Sequence, residues 1–308
     1  MPLSSPHAPV LALEAIAALR IHPAGTYVDC TFGRGGHSRL ILERLGSEGR
    51  LVALDRDPQA EAVASEIRDP RFRFARAPFS RLAGVLQQLG IESVHGVLLD
   101  LGVSSPQLED PARGFSFLRQ GPLDMRMDPH TGVAASEWLA AAPEAEIAEV
   151  IKRYGEERFA RRVARAIVGA RAVNPIGTTR ELADIVSRAV PTREPNQHPA
   201  TRTFQALRIH VNRELQELEQ VLPQCLELLL EGGRLVALSF HSLEDRLVKR
   251  FLAQAASPEP LPEKLPVPAS ALKPPRLRLV GKIRPSAAEI EANPRARSAM
   301  MRIAEKLG

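Results

Sequence analysis

The sequence predicts an α/β fold interrupted by an all-helical insertion. Three observations carry that expectation. From Tyr27 to Leu101, short apolar runs alternate with helical periodicity, and two of them end directly in an acid, Asp55 and Asp100. Such alternation is the mark of a parallel sheet with crossover helices. From Ser136 to Leu222 the apolar residues keep helical spacing and no strand pattern intervenes. A strand pattern then returns at Arg234–Ser239, so the helices interrupt a domain rather than follow one. With 308 residues the chain exceeds the usual single domain. It divides into a discontinuous sheet domain, 1–107 plus 212–308, and a helical insertion, 108–211.

Taken in order, residues 1–7 are expected to fray. Val10, Leu11, Leu13, Ile16 and Leu19 form one helix face. His22-Pro23-Ala24-Gly25 turns the chain into a first strand ending at Asp29, and Gly33-Arg34-Gly35-Gly36 leads into a helix through Leu40, Ile41 and Leu45. The second strand, Arg50–Leu54, stops at Asp55. Asp57-Pro58 opens the next helix, with proline where its missing N–H costs nothing. Arg71–Ala75 reads as a short third strand, followed by Phe79, which suits a core position or the cover of an adenine equally. Val94–Leu101 is apolar enough to be buried on both faces. Residues 108–132, rich in Gly, Pro, Asp and Arg, read as an irregular surface segment.

Within the insertion, Ser136 is a candidate cap for a helix at Trp138 and Leu139. Pro143 opens a helix through Ile147 and Val150, Phe159, Val163, Ile167 and Val168 make another stripe, and Thr178 or Thr179 starts a third helix. One long helix through Leu207, Val211, Leu215, Leu218 and Leu222 is expected to return to the sheet domain and end at Gly232-Gly233. Ser257–Pro275 holds seven prolines and is expected to be an extended surface loop. Arg276–Val280 and Ala299–Ala304 read as two last strands, an antiparallel pair closing a parallel sheet.

The glycine loop after the first strand decides the chemistry. Glycines there let backbone approach a ligand closely. A loop built to cradle pyrophosphate would not carry Asp29 at its mouth, because that ligand is anionic. S-adenosylmethionine carries a sulfonium and an ammonium instead, and an acid suits both. Asp55, about 20 residues beyond the glycines, stands where ribose hydroxyls are held in such folds. A dinucleotide oxidoreductase fits poorly, since the third glycine of Gly-x-Gly-x-x-Gly is missing. A hydrolase reading on Ser104 or Ser242 with His241 lacks a nucleophile elbow. A non-catalytic RNA-binding protein would not explain polar loops converging at strand ends.

Composition sets the remaining bounds. Only two cysteines occur, Cys30 and Cys225, without metal-ligand spacing, and Cys30 suits a small buried side chain better than a reactive thiol. No metal site is evident, because Asp100, Asp124 and Asp128 are too scattered to argue one. No apolar stretch is long enough to span a membrane and no secretory signal precedes the domain, so a cytoplasmic protein is expected. Residues 151–213 contain 13 Lys plus Arg against 5 Asp plus Glu, a balance of +8, while the whole chain is at +5. A basic excess confined to one segment points to a polyanion.

Several long motifs then resemble one family. They are Thr31-Phe32-Gly33-Arg34-Gly35-Gly36-His37-Ser38, Asp55-Arg56-Asp57-Pro58, Leu99-Asp100-Leu101-Gly102-Val103-Ser104-Ser105-Pro106-Gln107, Arg113-Gly114-Phe115-Ser116-Phe117 and Gly121-Pro122-Leu123-Asp124-Met125-Arg126-Met127. Others are His198-Pro199-Ala200-Thr201-Arg202-Thr203-Phe204-Gln205, Ser239-Phe240-His241-Ser242-Leu243-Glu244-Asp245 and Asn293-Pro294-Arg295-Ala296-Arg297-Ser298. Together they span nearly the whole chain, which is similar to the ribosomal RNA small subunit methyltransferase H family. The resemblance implies a class I (Rossmann-like) S-adenosylmethionine-dependent methyltransferase domain with an inserted helical domain. It implies methylation of N4 of a cytosine in the decoding region of 16S ribosomal RNA. It implies cofactor contacts at Gly35, Gly36, His37, Asp55, Phe79, Asp100 and Gln107, where His37 by itself reads as a surface residue at a helix start. Asp100 is the candidate catalytic acceptor, with Ser104 or Ser105 nearby, although the paired prolines and aromatic that follow this acid in other amino-methylating enzymes are missing. Candidate substrate residues are Arg161, Arg165, His198, Arg202, Phe240 and His241, with the assembled small subunit as the expected partner and a homodimer compatible with the sequence.

Overall fold

The computed structural model describes residues 9–192, 198–257 and 274–308. It divides into two compact units, Met1–Gly102 with Leu215–Gly308, and Val103–Glu214. The strands are β1 (Thr26–Asp29), β2 (Arg50–Asp55), β3 (Phe72–Arg76), β4 (Val94–Asp100), β5 (Leu229–Ser239), β6 (Leu277–Ile283) and β7 (Met300–Lys306). Among the described residues the helices of the first stretch are α1 (Ala12–Leu19), α2 (Gly36–Arg44), α3 (Pro58–Ala64) and α4 (Leu82–Gln88). Those from Ser105 on are α5 (Ser105–Glu109), α6 (Ala135–Ala141), α7 (Glu144–Gly155), α8 (Ala160–Arg171), α9 (Thr179–Ala189) and α10 (Thr201–Asn212). The last are α11 (Glu214–Leu228), α12 (Ser242–Ala255) and α13 (Ala287–Ala292).

In the first unit the strand order is β3-β2-β1-β4-β5-β7-β6. β1 to β5 run parallel, and β7 lies antiparallel between β5 and β6. Alternate residues of each central strand enter separate cores, as the period of two requires. Val28, Val52, Leu54, Val97 and Leu99 pack with Leu82, Leu218, Val221 and Leu247 of α4, α11 and α12. Tyr27, Leu51, Ala53, Leu98 and Val236 pack with Ile16, Ile41 and Ala60 of α1, α2 and α3. The sheet is thus covered on both faces, which explains why its strands read as apolar runs. The carboxyl ends of β1, β2 and β4 fall on one edge, and the order reverses between β1 and β4, where such sheets bind ligands.

In the second unit α6 to α10 surround a core of Leu139, Ile147, Ile151, Val163, Ile167, Leu182, Val186, Phe204 and Leu207. Thr178 caps α9, accepting from Glu181 N while the Glu181 carboxylate accepts from Thr178 N at 2.9 Å. No helix among the described residues is long and apolar enough to cross a membrane.

Five expectations are corrected. Residues 108–132 are irregular but not a surface segment: Phe115, Leu123 and Met125 are 6%, 1% and 0% exposed and belong to the helical core. This unit also takes in Val103 and Leu108, which pack on that core, so it begins before residue 108 and includes the short helix α5. The long helix is two, α10 and α11. Arg213 sits at φ 53°, and the Asn212 side chain ties the end of α10 to Met125 O and Met127 N at 2.8 and 2.7 Å. β5 begins at Leu229, and Gly232 at φ 76° lies inside it as an irregularity, the pairing with β4 jumping from Val94–Leu229 to Gly96–Arg234. Ser136 does not cap α6, whose N-cap position is Ala134. Most of Ser257–Pro275 and residues 1–7 lie outside the described residues.

Candidate active site

The loop after β1 is fixed from both sides. Cys30 N donates to Leu98 O of β4 at 2.9 Å, and Phe32 N to Leu54 O of β2 at 3.0 Å. The chain then turns through Gly33 and Gly35, both at positive φ, before entering α2. Gly35, at φ 74°, has Phe32 beneath it: a Cβ would meet that ring at 2.8 Å. A Cβ on Gly36 would meet Pro9 at 2.7 Å. Tight packing against the protein itself therefore requires both glycines.

Asp29 is fully buried. It accepts from Ser38 Oγ at 2.7 Å and from Thr31 N at 3.1 Å, and burial pushes its carboxyl above the usual range. The expectation that Asp29 stands at the mouth of the loop is therefore corrected. It braces the loop from within. Thr31 relays that bracing, because its Oγ1 accepts from Asp100 N at 2.7 Å and so joins the ends of β1 and β4. Thr31 and Ser38 were not singled out from the sequence, although a threonine two residues after an aspartate is the spacing of an Asx turn.

Asp55 ends β2 half-buried. Its two oxygens accept from Gly33 N at 2.8 Å and Asp57 N at 2.9 Å. Burial outweighs these bonds and pushes its pKa up to about 6. Each carboxylate oxygen has a further lone pair. Asp57 itself caps α3 by accepting from Gln59 N at 2.9 Å.

His37 is 4% exposed, not on the surface. Its Nε2 lies 3.4 Å from Asp100 Oδ2, close enough for an ion pair but misaligned for a hydrogen bond. Burial works against the imidazolium, yet Asp100, with Asp29 behind it, reverses the balance and raises the His37 pKa. Neither ring nitrogen of His37, nor Oδ1 of Asp100, has a hydrogen-bond partner among the described residues.

Phe79 opens the turn after β3 and packs in part against the core under the sheet. After β5, Phe240 packs on the opposite core. His241 is the N-cap of α12, with Nδ1 accepting from Glu244 N at 3.4 Å and Nε2 3.1 Å from Glu244 Oε1. Gly35, Gly36, His37, Asp55, Asp100, Phe79, Phe240 and His241 all belong to the first unit.

The other candidates belong to the second unit. Gln107 is buried on α5, and its Oε1 accepts from Ser104 N at 2.9 Å. Arg161 and Arg165 are exposed on α8, whose Val163, Ala164 and Ile167 face the core. Arg165 makes one loose ion pair with Glu144 at 3.7 Å. His198 is exposed and stacks on Phe117 with ring centres 4.6 Å apart, while Arg202 donates to Glu156 O at 3.4 Å.

A seven-stranded sheet of this order, with acids ending β1, β2 and β4 around a glycine turn, defines a class I methyltransferase fold. The family model of the MraW methylase family matches residues 4–307, and the chain belongs to that family. A relative from Thiobacillus denitrificans named "Ribosomal RNA small subunit methyltransferase H" is 61% identical over 302 residues, covering 98% of this chain and 97% of its own. A relative of the same name from Dechloromonas aromatica is 58% identical over 308 residues and covers both chains in full. Among solved structures, an rRNA methylase from Streptococcus thermophilus is 10% identical with a TM-score of 0.42, covering 97% of this chain and 95% of its own.

Proposed function

We propose that this chain transfers a methyl group from S-adenosylmethionine to N4 of a cytosine in 16S ribosomal RNA. The observation that carries the reading is identity of about 60% along the full length to relatives named as small-subunit ribosomal RNA methyltransferases. The donor set fits the cofactor. Asp55 suits a ribose diol, Asp100 at the end of β4 supplies a carboxylate toward a cation, and His37 and Asp100 keep buried polar atoms without a hydrogen-bond partner among the described residues. Gly35, Gly36, His37, Asp55, Phe79, Asp100 and Gln107 are the proposed cofactor contacts.

When bound, S-adenosylmethionine supplies an electrophilic methyl group. What falls to the protein is the cytosine amino group, whose lone pair is conjugated with its ring. Asp100 accepts a hydrogen bond from that amino group, which localises the lone pair, holds it in attack geometry and gives the departing proton an acceptor. The base leaves its stack to reach Asp100, as in other base-modifying enzymes. Phe240 and His241 help hold it. The helical unit grips RNA through Arg161, Arg165, His198 and Arg202. The reading extends to a cytosine of the decoding region, to assembled small subunits as substrate, to a cytoplasmic protein and to a homodimer as an oligomeric form.

The deciding experiment incubates the protein with labelled S-adenosylmethionine and small subunits from cells lacking it, then digests the RNA to nucleosides. Label in N4-methylcytidine is expected. Label confined to another nucleoside would overturn the substrate.

Two predictions follow from the site. Because Asp55 titrates near pH 6, its carboxylate is ionised at pH 7 and mostly protonated at pH 5. If the ionised form holds the ribose, the cofactor dissociation constant rises about tenfold from pH 7 to pH 5. Calorimetric titration checks this, and a flat profile counts against the role. Reversing Arg161 and Arg165 to Glu is expected to weaken RNA binding and lower the log–log salt slope by about two, sparing cofactor affinity. Both side chains are solvent-facing, so the fold should hold.

A further inference from the structure

Resting on the assignment of Asp100 above, we infer that His37 is a positioning residue that acts as an imidazolium counter-charge, holding the Asp100 carboxylate in place for the target amino group. Asp100 is only partly open, its side chain 23% exposed, and its Oδ1 is buried without a hydrogen-bond partner among the described residues. A carboxylate in that state is costly unless an opposite charge stands beside it. His37 is the charge that does so, 3.4 Å from Oδ2. The titratable groups facing His37 are Asp100 from β4 and Asp29 from β1. Asp29 already accepts from Ser38 Oγ and Thr31 N, whereas Asp100 Oδ1 accepts from no group among the described residues, so Asp100 is the carboxylate with most need of the imidazolium. The Asp100 backbone is held separately, through Thr31 Oγ1. Main chain and side chain of the acceptor thus have independent anchors.

The consequence for the reaction is specific. The amino nitrogen would bond the methyl carbon as the S–C bond of S-adenosylmethionine breaks with its electron pair left on sulfur, and an N–H bond breaks and leaves its electron pair on nitrogen. The proton forms an O–H bond on Asp100, whose side chain the imidazolium holds in place to receive it. If His37 loses its own proton, Asp100 loses its counter-charge, and its side chain is no longer held. Activity should therefore fall as pH rises through the elevated His37 pKa, the direction expected when a cation supports the acceptor.

Three measurements test this. In the free protein, nitrogen-15 NMR of the histidine side chains should show one imidazolium that persists above the ordinary histidine range and that titrates lower in Asp100→Asn. This readout needs neither turnover nor a His37 variant. In turnover, His37→Gln should lower kcat about 10²-fold, the cost of a misplaced catalytic group, with a much smaller change in the KM for RNA. The alkaline fall of the wild-type pH profile should also vanish in that variant. A histidine at this position that is neutral at pH 7, or a His37→Gln enzyme with wild-type kcat and pH profile, would overturn the inference. If Asp100→Asn keeps full turnover, the assignment of Asp100 falls with it. If Asp100→Asn is inactive while His37→Gln is not, only the role of His37 falls.

Discussion

Asp100→Asn is expected to reduce kcat for methyl transfer by about 10²–10³-fold, the usual effect of removing one preorganised polar group from a reacting centre. The change is nearly isosteric, and the backbone anchor of the residue does not depend on its charge, because Thr31 Oγ1 accepts from the Asp100 main-chain N–H. β4 on either side is buried and paired with β1 and β5. The melting temperature should therefore stay close to wild type. What is lost is the carboxylate: an amide accepts a hydrogen bond from an amino group more weakly and cannot take its proton. His37 would lose Asp100 as a counter-charge as well, leaving Asp29. Single-turnover methylation with cofactor affinity measured in parallel separates the possibilities. Full turnover at unchanged affinity would remove Asp100 from the chemistry.

The sheet was legible because its strands are buried on both faces. Val97, Leu98 and Leu99 announce themselves as a strand with no need of tertiary knowledge, and each is fully buried. The acids that end β2 and β4 were legible for the same reason, since a charge closing an apolar run marks a cleft edge. His37 was not legible from spacing alone. A histidine at a helix start is ordinarily solvated, and what buries it is packing around a glycine turn that only the three-dimensional structure brings together. Asp29 was seen but misplaced. Its carboxylate is satisfied by Ser38, nine residues on, a bond that the loop geometry creates. The single long helix expected through Leu207 and Leu222 failed because periodicity continues across a break. The left-handed Arg213 interrupts the backbone without disturbing the apolar spacing. Resemblance to a family supplied Gln107 and the chemistry of the substrate, which neither periodicity nor charge would have named.

Gly121→Ala should be among the most damaging single changes in the helical unit, and the reason is the segment whose composition reads as surface. A Cβ built on Gly121 lies 1.8 Å from the carbonyl oxygen of Pro111 and 2.6 Å from its carbon. These are backbone atoms, so no side chain can swing aside. The glycine cannot retreat either. Its N–H donates to Thr179 Oγ1 at 3.2 Å and its carbonyl accepts from Thr179 N at 3.0 Å, which pins it to the first turn of α9. Leu123 N donates to Gly177 O at 2.9 Å, and the Leu123 side chain is 1% exposed in the helical core. Relieving the clash must therefore pull Leu123 from the core or break the start of α9. We expect a loss of about 3 kcal/mol or more, at the upper end for overpacked sites, and a fall of roughly 10 °C in the melting of this unit. Hydrogen exchange should quicken across α9 and residues 111–125, while the strands of the sheet unit keep their protection. Gly169→Ala is the control. It lies within α8 with no atom within 4 Å of its added Cβ, and should gain up to about 1 kcal/mol from helix propensity. Equal melting temperatures for the two variants would mean that the turn at Pro111 yields freely, and that residues 111–125 only lie over the helical core without bracing it.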